Sequence, residues 1–221
     1  MNLAVLYSGG KDSNYSLYIA SKYHKIKVLL NIVPKNNESY LYHYINHEYT
    51  RLQAEALEIP IEIFHSDLDE EKTLENALEY LKEEYKIEGV VTGAIRSEYQ
   101  ATRFQKICKK LNLWCFNPLW LKDEIEYLNE LLRNNFKFII TGWYAYPLDI
   151  SILGKIFDKN IMNKLIDYNK KYKINLVGEG GEYETFVLYQ PLFKKEIVID
   201  EYEIRVEKNY AEYIIKKAHL E

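Results

Sequence analysis

Short apolar runs alternate with amphipathic stretches through the first half of this chain, and that alternation restricts the fold more than any other feature. "LAVLYS" (3–8), "IKVLLNIV" (26–33), "IEIFHS" (61–66), "EGVVTGAI" (88–95) and "LWCFNP" (113–118) read as buried strands. Between them, 13–24, 47–59, 71–85 and 97–112 read as helices, with Leu74, Leu78 and Leu81 on one face of the third. Such alternation demands crossovers, hence a parallel sheet covered on both faces. Ligands of open α/β sheets bind beyond the carboxyl ends of the strands. Residues 7–12, 31–34 and 92–97 follow strand ends, so they are expected to meet at one rim.

The texture changes after Pro118. A helix (124–135), a strand (136–146), another helix (159–172) and a glycine-rich segment running into an apolar one (177–189) follow. Two strand-like runs (195–200 and 202–208) precede "YAEYIIKKAHL", which reads as a C-terminal helix. The expected architecture is α/β: a Rossmann-like parallel sheet with helices on both faces over 1–118, then a smaller α+β domain over 119–221. No linker rich in Pro, Gly or Ser separates the halves, so they should pack tightly.

Composition narrows the class. Hydrophobic residues are 48 % and charged residues 28 % of 221, which suits a globular chain and not a disordered one. A net charge of −4 argues against a nucleic-acid partner, which usually demands a basic footprint. Cys108 and Cys115 form no CxxC pair and sit in no His/Cys cluster, which argues against zinc and against a disulfide framework. Cys108 reads as a buried helical cysteine. No signal-type N-terminus and no apolar run of roughly 18 residues stand out, so a cytoplasmic protein without a membrane contact is expected.

"SGGKDS" (8–13) carries the first chemistry. Gly9 and Gly10 can bring backbone N–H groups close to an anion, and the following helix points its N-terminus at the same place. Ser8 and Ser13 add hydroxyls and Lys11 a full charge. Asp12 makes sense there once a magnesium ion bridges phosphate oxygens. The spacing is not that of G-x-x-x-x-G-K-[ST]. The hexapeptide resembles the PP-loop of the N-type ATP pyrophosphatases, which cleave ATP between the α- and β-phosphates. That resemblance implies that Ser8, Gly9, Gly10, Lys11 and Ser13 hold pyrophosphate and Asp12 the metal. Ile32 would meet adenine through backbone, and Gly93 and Ala94 would line the nucleotide from the other side.

Three further stretches address the acceptor. "TGAIRSEYQATR" (92–103) offers Ser97, Tyr99, Gln100 and Arg103 at a helix start. "NPLW" (117–120) opens the second half. "GEGGEYETF" (178–186) packs Glu179, Gly180, Gly181, Glu182, Glu184 and Thr185 together, and its carboxylates repel unless something cationic sits among them. Over residues 3–193 these motifs resemble the diphthine–ammonia ligase family, in a two-domain form similar to archaeal members. The resemblance implies ATP and Mg2+ as cofactors, and translation elongation factor 2 and ammonium as partners. It implies amidation of diphthine to diphthamide through an acyl-adenylate, with release of AMP and pyrophosphate. Glu182 or Glu184 would hold or deprotonate ammonium. Because diphthine carries a trimethylammonium group, aromatic faces of Trp143, Tyr144 and Tyr146 are candidates to meet it. Two alternatives stay open from the residues: another PP-loop adenylating enzyme such as a tRNA-modifying one, and a non-catalytic ATP-binding module. Oligomeric state stays open as well.

Overall fold

The computed structural model describes residues 1–34, 45–66 and 69–221. The first half builds β1 (Asn2–Leu6), α1 (Lys11–Ser21), β2 (Lys25–Pro34), α2 (Thr50–Leu57), β3 (Ile61–Ser66), α3 (Glu70–Tyr85), β4 (Gly89–Val91), α4 (Glu98–Lys110) and β5 (Trp114–Phe116). All five strands pair in parallel, in the order β3-β2-β1-β4-β5. The α/β expectation therefore holds, with helix boundaries shifted by a few residues. The helix expected over 47–59 opens with a 3-10 turn, His47–Tyr49.

Side-chain alternation along the strands sorts the core into two clusters. Ala4, Val28, Leu30 and Val90 face Leu74, Leu78 and Leu81 of α3 and Phe104 and Ile107 of α4. Leu3, Val5, Leu29 and Val91 face the other way, onto Tyr15 and Leu17 of α1 and Ala54 and Leu57 of α2. Helix α3 shows the local logic. The Asp69 carboxylate accepts from the N–H of Lys72 at 2.9 Å and caps the helix. Leu74, Ala77, Leu78 and Leu81 then put one apolar face on the sheet. Each buried leucine contributes about 1.5–3 kcal/mol, and Leu78→Ala would cost about 2–5 kcal/mol.

The second half contains α5 (Glu124–Arg133), β6 (Lys137–Trp143), α6 (Lys159–Tyr172), β7 (Tyr183–Tyr189), β8 (Ile197–Val206) and β9 (Ala211–Leu220). Its sheet has the order β7-β6-β9-β8, antiparallel throughout. Two expectations are corrected here. The two runs at 195–200 and 202–208 are one strand, β8, with a register irregularity between Ile199 and Tyr202. The C-terminal segment is a strand and not a helix. It pairs with β8 along its length and with β6 at Gly142 and Trp143. Ala211, Tyr213 and Ile215 are buried on one face, and strand preference reflects such packing more than local propensity.

The halves pack on one core. Tyr127, Leu128 and Leu131 of α5, Phe138 of β6 and Phe186 of β7 belong to the cluster that holds Leu3, Val5 and Tyr15. Polar bonds cross the same boundary. The Tyr15 hydroxyl donates to Glu130 at 2.8 Å, and the amide of Gln190 donates to Asn14 at 3.1 Å. The N–H of Lys194 donates to the carbonyl of Ala56 at 2.7 Å. Cys108 is buried, Cys115 is half-buried, and both are free thiols.

Candidate active site

Strand order reverses between β1 and β4, and the chain opens a cavity of about 710 Å³ beyond their carboxyl ends. The three stretches expected at one rim do meet there. Ser8 and Gly10–Ser13 line one side, Asn31 and Ile32 the base, and Gly93–Ile95 the other side. Leu6, Leu30, Ile32 and Phe104 make part of the wall apolar. The opposite wall comes from the second half, through Val177–Gly181, Tyr183, Glu184 and Thr185. Residues from both ends of the chain thus close one chamber.

The loop between β1 and α1 is held from several sides. Gly9 has φ +84°, a conformation in which a side chain would be strained, and a Cβ there would lie 2.7 Å from Gln53 Oε1. Its carbonyl accepts from the N–H of Val187 at 3.0 Å and from the Gln53 amide at 3.0 Å. The same Gln53 amide donates to the carbonyl of Val187 at 2.7 Å. Gly9 itself does not line the cavity; it fixes the loop to β7 and α2. Gln53 was not among the sequence candidates, since a lone glutamine in an amphipathic helix gives no signal of its own. The Ser8 and Ser13 hydroxyls lie 3.3 Å apart.

Lys11 is 2 % exposed and lines the cavity. Its ammonium donates to the carbonyl of Val177 at 2.6 Å and to Asp12 Oδ2 at 3.0 Å, and lies 5.2 Å from the centroid of the Tyr183 ring. Its N–H donates to the Thr185 hydroxyl at 3.0 Å. The cation is therefore shared between the loop and the second half. Asp12 is bonded twice: Oδ2 to Lys11, and Oδ1 to the hydroxyl of Tyr127, which donates at 2.7 Å. Burial, and then the nearby Asp12 charge, push the Tyr127 and Tyr183 phenols well above their usual pKa, so both are neutral donors.

Gly93 lines the cavity, as expected, and also makes a close backbone contact. A Cβ at this position would sit 3.1 Å from Asp12 C and Ser13 N, so glycine admits the first turn of α1 against the β4 rim. Ala94, Ser97, Tyr99 and Gln100 line the cavity. Arg103 does not. Its guanidinium stacks 3.4 Å from the Tyr99 ring centroid and pairs with Glu71 at 2.8 Å.

The carboxylates of the glycine-rich segment avoid mutual repulsion by parting. Glu179 Oε1 accepts from the N–H groups of Ile95 at 2.6 Å and Ser97 at 3.0 Å, and Oε2 accepts from Arg96 at 2.6 Å. Backbone dipoles supply the positive potential that a cation would otherwise provide. Glu182 turns away from the cavity, accepts from the N–H of Asn175 at 3.1 Å, and packs on Gly180. Glu184, Gly180, Gly181 and Thr185 line the cavity.

None of the three aromatics proposed for a trimethylammonium contact lines this cavity. Trp143 is 0 % exposed; its indole N–H donates to the Pro147 carbonyl at 2.8 Å and its ring stacks with Tyr183 at 6.0 Å. It is a core residue because β6 is the inner strand flanked by β7 and β9. The Tyr144 hydroxyl bonds Glu212 at 3.3 Å, and burial, then Glu184 and Glu212, raise its pKa. Tyr146 is 78 % exposed and meets Tyr172 edge-on.

Residues 1–114 match the family model described as Diphthamide synthase N-terminal domain, and residues 123–220 that described as Diphthamide synthase C-terminal domain. The chain belongs to the diphthamide synthase family. Among curated relatives, the human diphthine–ammonia ligase is 36 % identical over 228 residues, covering 92 % of this chain and 85 % of that protein. The diphthine–ammonia ligase of Rattus norvegicus is 37 % identical over 223 residues, covering 90 % and 83 %. That of Schizosaccharomyces pombe is 34 % identical over 224 residues, covering 92 % of this chain but 37 % of its own longer length. A solved structure described as a predicted subunit of tRNA methyltransferase from Methanocaldococcus jannaschii reaches a TM-score of 0.48 at 18 % identity, over 86 % of this chain and 98 % of that one. Among the described residues, no helix is long and apolar enough to cross a membrane.

Proposed function

We propose that this protein is an ATP-dependent diphthine–ammonia ligase that completes diphthamide on translation elongation factor 2, in the cytoplasm. One observation carries the reading: a single cavity joins the "SGGKDS" loop of the first half to the "GEGGEYET" segment of the second. ATP would lie with its base against Leu6, Leu30, Ile32 and Phe104 and its β- and γ-phosphates at Ser8, Gly10, Lys11 and Ser13. The diphthine carboxylate oxygen attacks the α-phosphorus, the α–β bridging bond breaks, and pyrophosphate leaves. Ammonia nitrogen then attacks the acyl carbon, AMP leaves, and the surplus proton passes to a base. Glu184 lines the cavity and is suited to hold ammonium; Glu182 is not, because it faces away. The protein supplies position and charge stabilisation and no covalent nucleophile.

Magnesium fits this donor set. Asp12 presents hard carboxylate oxygens, its side chain is 32 % exposed, and it lines the phosphate end of the cavity. Among the described residues, no group of three His, Cys, Asp or Glu side chains could cage a metal. Magnesium bound through one carboxylate, phosphate oxygens and water needs no such cage. When bound, it would neutralise charge on the phosphate oxygens.

The test is incubation with ATP, ammonium and diphthine-bearing elongation factor 2. Conversion of the carboxylate to the amide, seen by mass, with AMP and pyrophosphate released, is expected. Unchanged factor in the presence of protein that binds ATP would overturn the assignment.

A further inference from the structure

Asp12 receives one hydrogen bond on each oxygen, and the two donors come from different helices, α1 and α5. The Lys11 ammonium holds Oδ2 at 3.0 Å. The Tyr127 hydroxyl holds Oδ1 at 2.7 Å. Tyr127 belongs to α5, lies outside the cavity lining and is fully buried. Its ring is fixed against Tyr15, 5.6 Å away between centroids, and Tyr15 is itself tied to Glu130 of α5 at 2.8 Å. A buried phenol with one rigid orientation meets the one carboxylate of the phosphate loop.

We infer that Tyr127 is a positioning residue for Asp12: its hydroxyl holds Oδ1 apart from the Lys11 ammonium and keeps the carboxylate aimed into the cavity. The inference rests on the reading of Asp12 as the magnesium-side acid. The physical reason is competition. Lys11 sits beside Asp12 in sequence and in space, and a carboxylate free to rotate would turn both oxygens onto the ammonium. A carboxylate oxygen that accepts one hydrogen bond retains further lone-pair capacity for a metal or its water. The phenol therefore orients the acid without occupying it. Tyr127 comes from the second half of the chain, so the acceptor-side half sets the geometry of the ATP-side acid.

Tyr127→Phe keeps the ring and deletes the hydroxyl. ATP binding is titrated against Mg2+ by calorimetry, without any acceptor protein. The Mg2+ concentration that half-saturates tight ATP binding should rise about tenfold, as expected for losing a hydrogen bond to a charged group. Metal-free ATP binding should stay within about twofold of wild type. An unshifted Mg2+ dependence in Tyr127→Phe, alongside a shifted one in Asp12→Asn, would overturn the positioning role. An unshifted dependence in Asp12→Asn as well would instead remove the metal role of Asp12. Should Tyr127→Phe not fold, 3-fluorotyrosine placed at position 127 alone supplies the readout. Its fluorine resonance should move when Mg2+ is added to the ATP complex; a stationary resonance overturns the inference.

Discussion

The ammonium of Lys11 donates to the carbonyl of Val177 at 2.6 Å, joining residues 166 positions apart at the mouth of α1. Lys11→Met retains the aliphatic stem and removes this bond together with the contact to Asp12. A buried carbonyl left without a donor costs about 1–3 kcal/mol. Urea unfolding should show a loss of that size; under the proposed function Lys11 would also supply charge at the phosphates, and AMP formation should then fall by about a hundredfold or more. A variant with wild-type stability would show that the Val177 bond contributes nothing to the fold.

Glu179 accepts three backbone N–H groups from 95–97, and its carboxylate is the sole anchor seen for them among the described residues. Glu179→Gln replaces an acceptor oxygen by an amide nitrogen that cannot accept. A loss of about 2 kcal/mol is expected, typical of hydrogen bonds to a charged group. Hydrogen exchange at Ile95, Arg96 and Ser97 should accelerate while that of β1 stays unchanged. Equal exchange in both proteins would show the clasp to be dispensable.

Trp143 is buried in the core, whereas Tyr146 is exposed. Trp143→Ala should destabilise by about 3–5 kcal/mol, read by thermal melting. Tyr146→Ala, at an exposed site, should change stability by no more than about 0.5 kcal/mol. If Trp143→Ala kept full stability yet lost binding of diphthine-bearing factor, the indole would have to be a ligand contact after all.

Asp149 gives an acid-dependent contribution. Burial opposes its charge, but the Lys164 ammonium, the Ser151 hydroxyl and N–H, and the Tyr168 hydroxyl outweigh it and lower its pKa to about 2 from 3.8. A folded-state pKa below the unfolded one means the contribution is complete above 3.8 and disappears as pH falls through about 2. With solvent screening it is worth about 1 kcal/mol. Asp149→Asn should therefore be less stable than wild type at pH 7, with the gap closing between these two values. A gap independent of pH would assign the effect to packing.

Local signals determined much of this protein. Short apolar runs alternating with helical patterns, with glycine and proline punctuation, were enough for the parallel sheet, the crossover helices and the convergence of 7–12, 31–34 and 92–97 on one rim. The motif residues Ser8, Lys11, Asp12, Ser13, Ser97, Glu184 and Thr185 do line one cavity. What tertiary structure alone decided depends on partners distant in sequence. The segment 211–220 is a strand because β8 and β6 offer it backbone partners, and no local pattern encodes their presence. Trp143 is interior because β6 lies between β7 and β9. Glu179 is a clasp because backbone N–H groups more than eighty positions earlier point at it. Tyr127 lies in a stretch, 124–135, that the sequence marks only as a helix, yet its hydroxyl reaches Asp12. Hydrophobic patterning is a local property, which a single sequence displays. Hydrogen bonds between distant groups are set by packing, which only the folded chain reveals.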